Sequence, residues 1–450
     1  VQISPAQKST RGNEWWTRYQ PQDYTKIEGL GSIEDLRALC KDAADLGVMI
    51  IGDAVFNHMI VVASAHDWER AQRKPKDLER LKEKLTKAVA PTFTAEDFQW
   101  PWFKMEGAHW DNDNRYEGWG CGEWSELKHC KKVVDVHNQH LQELLDAGVR
   151  GIRFDAVKHM RPAHVDEYLR HLRQQPFPVY AYGEVLSVDE KMQKEYMDPL
   201  SMPTTDFALT VYLNDVVKRT ASAQTVAMGA QAAAVKAAAA EGLGVKVGGA
   251  PAAATNGAEL SAPAPPALSS CSVRFARNHD TVQNPGSFYG LSGGALGARV
   301  VWAWLLAAHD GTVLMYPEDF LDGSCGPLLT RALRFRSQTG ARASSTEVCV
   351  RCAAAQAGEE PRPALASLVL RNAEGGVEGV CLLNLLRDAR LRVGALPARR
   401  GASAEGASLV GEDGGLVTLR GDGQLVGEDG SPKTLVIPAW DALFLVEAPF

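Results

Sequence analysis

Four short segments, spread over more than two hundred residues, each end an apolar or β-branched run in acid, base and amide groups. They are Gly52-Asp53-Ala54-Val55-Phe56-Asn57-His58, Gly151-Ile152-Arg153-Phe154-Asp155-Ala156-Val157-Lys158-His159, Tyr182-Gly183-Glu184-Val185 and Phe275-Ala276-Arg277-Asn278-His279-Asp280. Each pattern predicts a buried strand with polar chemistry at its C-terminal tip, which is where a parallel α/β barrel carries its active site. Three carboxylates, Asp155, Glu184 and Asp280, then converge on one cleft.

The rest of the patterning alternates strand with helix. A strand at Val1–Ile3 is followed by a helix from its N-cap Ser32 to Leu46, closed by Gly47, and by an apolar strand Val48–Ile51 that leads to Asp53 and Asn57. Helix Asn138–Asp146 pairs with strand Gly151–Phe154, and helix Ala163–Gln174 with strand Val179–Glu184. Strands Asp206–Leu209, Val273–Asn278 and Thr312–Tyr316 follow, with helices Ala295–Ala308 and Gly326–Arg336. Seven such strands are one short of a closed eight-stranded barrel, and natural proteins avoid open strand edges. Val1 already opens on a strand with no initiator Met or signal segment before it. The expectation is an N-terminally incomplete copy of a longer chain, its first strand and helix lying upstream of Val1.

Two long interruptions break the rhythm. Residues 59–132 read as an inserted subdomain with a charged helix (Lys74–Ala90) and an aromatic segment holding Trp100, Trp102, Phe103, Trp110, Tyr116, Trp119 and Trp124. Residues 221–270 are rich in Ala, Gly and Pro, without an apolar face to bury, and read as a disordered insertion. The barrel then takes residues 1–58 and 133–340. From 341 to 450, short β-rich runs such as Ala366–Leu370, Gly379–Leu383 and Ala442–Val446 alternate with Gly-rich turns, predicting a separate antiparallel β-sandwich domain.

A chain of 450 residues with 45% hydrophobic and 23% charged side chains can build a sizeable core. A net charge of −7 gives no electrostatic reason to expect nucleic acid or an anionic membrane surface as partner, and no apolar run approaches the roughly twenty residues of a membrane span. A soluble monomer with a neutral or cationic ligand is expected. Cys121 and Cys130 are close enough to pair if the compartment oxidises, while Cys349 and Cys352 read as two ordinary cysteines rather than half a zinc site. The compartment is open, with a lean to secreted or plastid.

Together the four segments resemble the conserved regions of the α-amylase family of glycoside hydrolases, in the family's order and each at a strand end. Val134-Asp135-Val136-His137-Asn138 resembles the family's short region before the second carboxylate strand, and Glu14-Trp15-Trp16-Thr17-Arg18-Tyr19-Gln20-Pro21 the loop after the second barrel strand. The resemblance implies a (β/α)8 TIM barrel, here without its first strand and helix. It assigns Asp155 as nucleophile, Glu184 as general acid and base, and Asp280 as transition-state stabiliser. His58 and His279 match positions that bind the sugar at the cleavage point, with Arg153 beside the nucleophile in the substrate site; Lys158 and His159 match positions near the leaving-group sugars, and Trp16 and Tyr19 a stacking platform for sugar rings, with Gln20 beside them. A structural calcium is implied, with Asn57, Asp135 and the backbone carbonyl of His159 as oxygen ligands and a further ligand from the subdomain, Glu123 or Glu126. Chloride, used by some members, is doubtful, because Thr312-Val313-Leu314-Met315 offers no second basic residue.

The chemistry agrees with this assignment. Glycoside cleavage through an oxocarbenium-like transition state takes two carboxyl groups, held about 5 to 5.5 Å apart in retaining enzymes, and adjacent strand tips supply that separation. Arg153 lies on the same side of its strand as Asp155 and keeps the aspartate ionised. The expected function is endo-hydrolysis of α-1,4 links in starch or glycogen with retention. The alternatives are a related α-glucosidase or transglycosylase, or an inactive glucan-binding or truncated family member.

Overall fold

The computed structural model describes residues 1–100, 102, 113–116, 118–119, 123–220, 272–283, 294–321, 325–353 and 362–385, then 391–393, 407–411, 416–419, 424–429, 431–437 and 441–447. The Ala-rich stretch, Phe103, Trp110 and Cys121 lie outside them. The chain divides into two compact units, Val1–Thr205 and Asp206–Phe450.

The first unit opens with an antiparallel hairpin, β1 (Gln7–Ser9) and β2 (Pro21–Ile27), followed by helix α1 (Ile33–Asp45). Ser32 starts α1 through a reciprocal capping box: its hydroxyl accepts from the Asp35 amide at 3.2 Å and the Asp35 carboxylate accepts from the Ser32 amide at 2.8 Å. Leu36, Cys40 and Ala43, at helical spacing, turn inward. Strands β3 (Ile51–Ala54), β4 (Gly151–Phe154), β5 (Tyr180–Gly183) and the short β6 (Thr204–Thr205) are parallel neighbours in that order. The Val1–Ile3 segment runs parallel to β3 through a Gln2–Ile51 bridge rather than as a full strand.

Helices α4 (Lys131–Asp146), α5 (Pro162–Arg173) and α6 (Glu190–Leu200) fill the gaps between these strands. The inserted subdomain carries α2 (Ala65–Gln72) and α3 (Pro75–Val89). Its aromatics form a core of their own, with the Trp119 ring edge-on to Trp68 at 5.3 Å and to Trp102 at 5.6 Å. Trp68, Trp102 and Trp119 are all buried, so they pack the subdomain rather than extend a surface groove.

The second unit begins with α7 (Phe207–Thr220). The run Asp206–Leu209 therefore starts a helix and is not a strand. The Asp206 carboxylate accepts from the Leu209 amide at 3.0 Å in the manner of a cap, and the preceding β6 takes the strand role. Strands β7 (Ser272–Arg274) and β8 (Thr312–Val313) pair in parallel. Between and after them come α8 (His279–Gln283), α9 (Gly294–Ala307), α10 (Pro317–Leu321) and α11 (Gly326–Thr339). From Val300 to Ala307 every residue of α9 is buried, as its uninterrupted apolar sequence requires.

The C-terminal part is antiparallel β. Strands β9 (Ser345–Ala353), β10 (Arg362–Arg371), β11 (Val377–Asn384), β12 (Leu391–Val393), β13 (Ala407–Gly411), β14 (Leu416–Leu419), β15 (Leu425–Val426), β16 (Leu435–Ile437) and β17 (Ala442–Glu447) make a seven-stranded sheet and a two-stranded one. The larger sheet has the order β15-β14-β13-β17-β11-β10-β9 and buries apolar side chains on both faces. Cys130 carries a free thiol. Among the described residues no helix is long and apolar enough to cross a membrane.

Candidate active site

The parallel register decides which side chains meet. Asp53 pairs with Arg153, and Arg153 with Tyr182. Side chains alternate along a strand, so Asp155 and Glu184, two residues beyond Arg153 and Tyr182, emerge on the same side as those residues. The ladder continues past the strand ends: the Asp155 amide donates to the Ala54 carbonyl at 3.0 Å and the Glu184 amide to the Phe154 carbonyl at 2.9 Å. The two carboxylates are therefore neighbours across adjacent strands, whose usual spacing is about 4.8 Å.

One guanidinium joins them. Arg153 is 2% exposed, and one of its terminal nitrogens contacts Asp53 and Asp155 at 2.8 Å while the other contacts Glu184 at 2.7 Å. Burial works against its charge, but Asp53 and Glu184 more than offset that, holding the group protonated. Asp53 is buried too. It accepts from the Tyr19 hydroxyl at 2.8 Å and the Gln2 amide at 3.3 Å. Burial pushes its carboxyl above the ordinary value, against the pull of Arg153 and Tyr19 and with the added repulsion of Glu184. Neither Asp53 nor Gln2 carried a role in the sequence reading, although Asp53 stood at a strand tip. Ala156, directly after Asp155, takes φ +50°, and its amide donates to the Glu184 carboxylate at 3.2 Å.

Around this centre, His58 is fully buried with Nε2 on the Tyr19 carbonyl at 3.1 Å, its ring against Trp124. Burial drives its pKa down to about 3, so it is neutral. Trp16 is 45% exposed whereas Tyr19 is buried, its ring beneath Arg153. Of the expected platform, then, Trp16 offers an open face and Tyr19 anchors Asp53. The Gln20 side chain accepts from the Val61 amide at 3.4 Å. Lys158 is buried and donates to the Leu186 carbonyl at 2.9 Å. His159 is buried beside the Arg115 carbonyl at 3.3 Å and is held neutral, its pKa lowered by burial to about 4.

The implied calcium ligands separate. Asn57 and His159 line one small cavity. Asp135 does not line it: it sits on α4 with its side chain 58% exposed, paired to Lys131 one helical turn earlier. Asp135 is therefore corrected as a ligand, since the helix that buries Val133, Val134 and His137 turns it to solvent. Glu126 fits better. It is completely buried and bridged to His58, and the next amide, of Leu127, donates to the Asn57 carbonyl at 3.0 Å. Glu123 is committed elsewhere, accepting from the Ala65 amide at 2.7 Å. Arg115, missed in the sequence, ties the subdomain down through the Lys158 carbonyl at 3.1 Å and the Glu195 carboxylate. Its signal was only a basic residue in an aromatic run.

In the second unit, Asp280 opens α8 after β7, 40% exposed, with His279 at 3.5 Å. Asn278 caps this helix, its side chain accepting from the Asp280 amide at 3.1 Å and the Thr281 amide at 3.0 Å.

Residues 1–237 match the family model described as the catalytic domain of α-amylase. The chain belongs to the α-amylase family. Among curated α-amylases, one from Aeromonas hydrophila is 28% identical over 238 residues, 46% of this chain and 48% of that protein. An α-amylase-related protein of Drosophila bakoue is 32% identical over 176 residues, 38% of this chain and 33% of that protein. The chain thus spans about half, or less, of the length of the curated relatives it matches. Among solved structures, the α-amylase of Malbranchea cinnamomea aligns with a TM-score of 0.64 at 16% identity, covering 99% of this chain and 85% of that one. The Geobacillus thermoleovorans α-amylase, solved with acarbose, aligns with a TM-score of 0.64 at 16% identity, covering 100% and 88%. The fold is that of this family: a TIM barrel followed by a C-terminal β domain.

Proposed function

We propose that this α-amylase family member hydrolyses α-1,4-glucosidic bonds within starch- or glycogen-type chains with retention of configuration. The observation that carries the reading is the in-register pair Asp155 and Glu184 on the one buried guanidinium of Arg153. In this reading the Asp155 carboxylate attacks the anomeric carbon while Glu184 gives its proton to the leaving oxygen. Glu184 then takes a proton from the water that releases the covalent glycosyl intermediate. Asp280 binds the hydroxyls of the sugar ring as it flattens, and Trp16 stacks on a neighbouring ring. The acarbose bound by the Geobacillus relative supports a glucan-shaped cleft.

Calcium belongs to the same proposal, with Asn57, Glu126 and the His159 carbonyl as hard oxygen donors between barrel and subdomain. Bound there, the ion would add positive charge that fixes the subdomain.

A reducing-sugar assay on soluble starch tests the activity, with proton NMR of the newly released anomer testing retention. Glu184→Gln should lower kcat by about 10²- to 10⁴-fold, the worth of a general acid. Activity of Asp155→Asn equal to the parent overturns the reading. Chelation should lower the thermal midpoint, with recovery on adding Ca²⁺ but not in Glu126→Gln.

A further inference from the structure

Arg277 stands just before Asn278, His279 and Asp280, and its side chain pairs with residues of α10 and the segment before it, within the second unit. Its Nε donates to Asp319 Oδ2 at 2.9 Å and a terminal nitrogen reaches Oδ1, a two-pronged pair. Asp319 lies on α10 and is completely buried; the indole of Trp302, on α9, donates to its Oδ2 at 2.8 Å. The Arg277 guanidinium also lies over the Tyr316 ring at 5.8 Å. Asp319 and Tyr316 thus hold the residue that leads into the loop, with Trp302 steadying Asp319 from α9. On the other side of the loop, the Asn278 side chain caps α8, and the Thr281 hydroxyl accepts from the Asn278 amide at 2.8 Å. The loop is held from both sides.

A buried ion pair is a poor source of net stability, because desolvation offsets most of the attraction, but its fork geometry is strongly directional. We propose that Arg277 is a positioning residue: its pair with Asp319, steadied by Trp302, fixes the backbone that carries Asp280 and so the orientation of that carboxylate for transition-state binding. The proposal rests on the hydrolytic reading above. A pair serving stability alone would sit as well anywhere along β7, whereas this one is adjacent to the capped turn.

The test compares Arg277→Ala, Arg277→Lys and Trp302→Phe with the parent in steady-state hydrolysis of soluble starch and in amide hydrogen exchange. For Arg277→Ala, kcat should fall about 10- to 100-fold with KM changed less than about threefold, since misplacement by an ångström is costly and the interaction acts in the transition state. Exchange should quicken at residues 275–283 while the amides of β10 and β11 keep parental rates. Arg277→Lys, which keeps the charge without the fork, should recover part of the loss, and Trp302→Phe should show a smaller one. Parental kcat with parental exchange at 275–283 overturns the proposal, as does exchange that rises evenly across the second unit. If Arg277→Ala does not fold, Arg277→Lys and Trp302→Phe give the same two readouts. Should the parent itself leave starch intact, the hydrolytic reading falls while hydrogen exchange still decides whether the clamp orders the loop.

Discussion

Arg153 brings one positive charge to a place where Asp53, Asp155 and Glu184 all reach it. Replacing it with Met leaves buried carboxylates without their cation, which costs about 3 to 5 kcal/mol and should appear as a lower midpoint in urea unfolding. Lys is no substitute, because an ammonium cannot span both acids as the guanidinium does. A second residue-level expectation concerns pH. His140 is wholly buried, donating through Nδ1 to the Tyr24 carbonyl at 3.0 Å, and burial lowers its pKa to about 4 despite that carbonyl and Asp23. The unfolded chain binds this proton near pH 6.5 and the folded chain does not, so stability is full above pH 6.5 and declines as pH falls toward 4. The loss approaches roughly 3 kcal/mol. Urea midpoints at pH 7.5 and 4.5 should show it, and His140→Gln should flatten the difference. Asp155, Glu184 and Arg153 were legible because an apolar run ending in charge has few explanations. Glu126 stood only as one of two alternatives with Glu123, and Arg115 was not legible at all, since neither follows a strand and each is defined by contacts from remote segments.

At the scale of elements, α1 tests local chemistry in isolation. Ser32→Ala removes one half of its capping box and should cost about 1 kcal/mol, read from thermal unfolding. Trp119→Ala empties the centre of the subdomain's aromatic core. It should cost about 3 to 5 kcal/mol and open the α2–α3 region to limited proteolysis. Most helices were readable to within a few residues, because their inward positions repeat at helical spacing. The exceptions have physical causes. A three-residue apolar run such as Phe207–Leu209, which begins α7, suits strand or helix equally until the cap at Asp206 is considered. Helix α6, carrying Pro199 near its end and few inward apolar residues, was missed altogether. The full length of α4 was hidden by a motif match at Asp135, although Val133, Val134, His137 and Leu141 already showed its buried face.

For the whole molecule, electrostatics and substrate should be decoupled. The chain carries −7 and the proposed substrate is neutral, so KM for starch should change less than about twofold between low and physiological salt, where screening varies most. A steep salt dependence would point to a charged ligand. Barrel order and the C-terminal β domain were both legible, the first from alternating patterns and the second from short runs between glycine turns. The spacing of Asp155 and Glu184 is inherited from the hydrogen-bond ladder joining β4 to β5, not from the segments that connect them. Evolution can therefore lengthen, shorten or rewrite those connections, and with them the shape of whatever they enclose, while the distance between the two carboxylates stays the same.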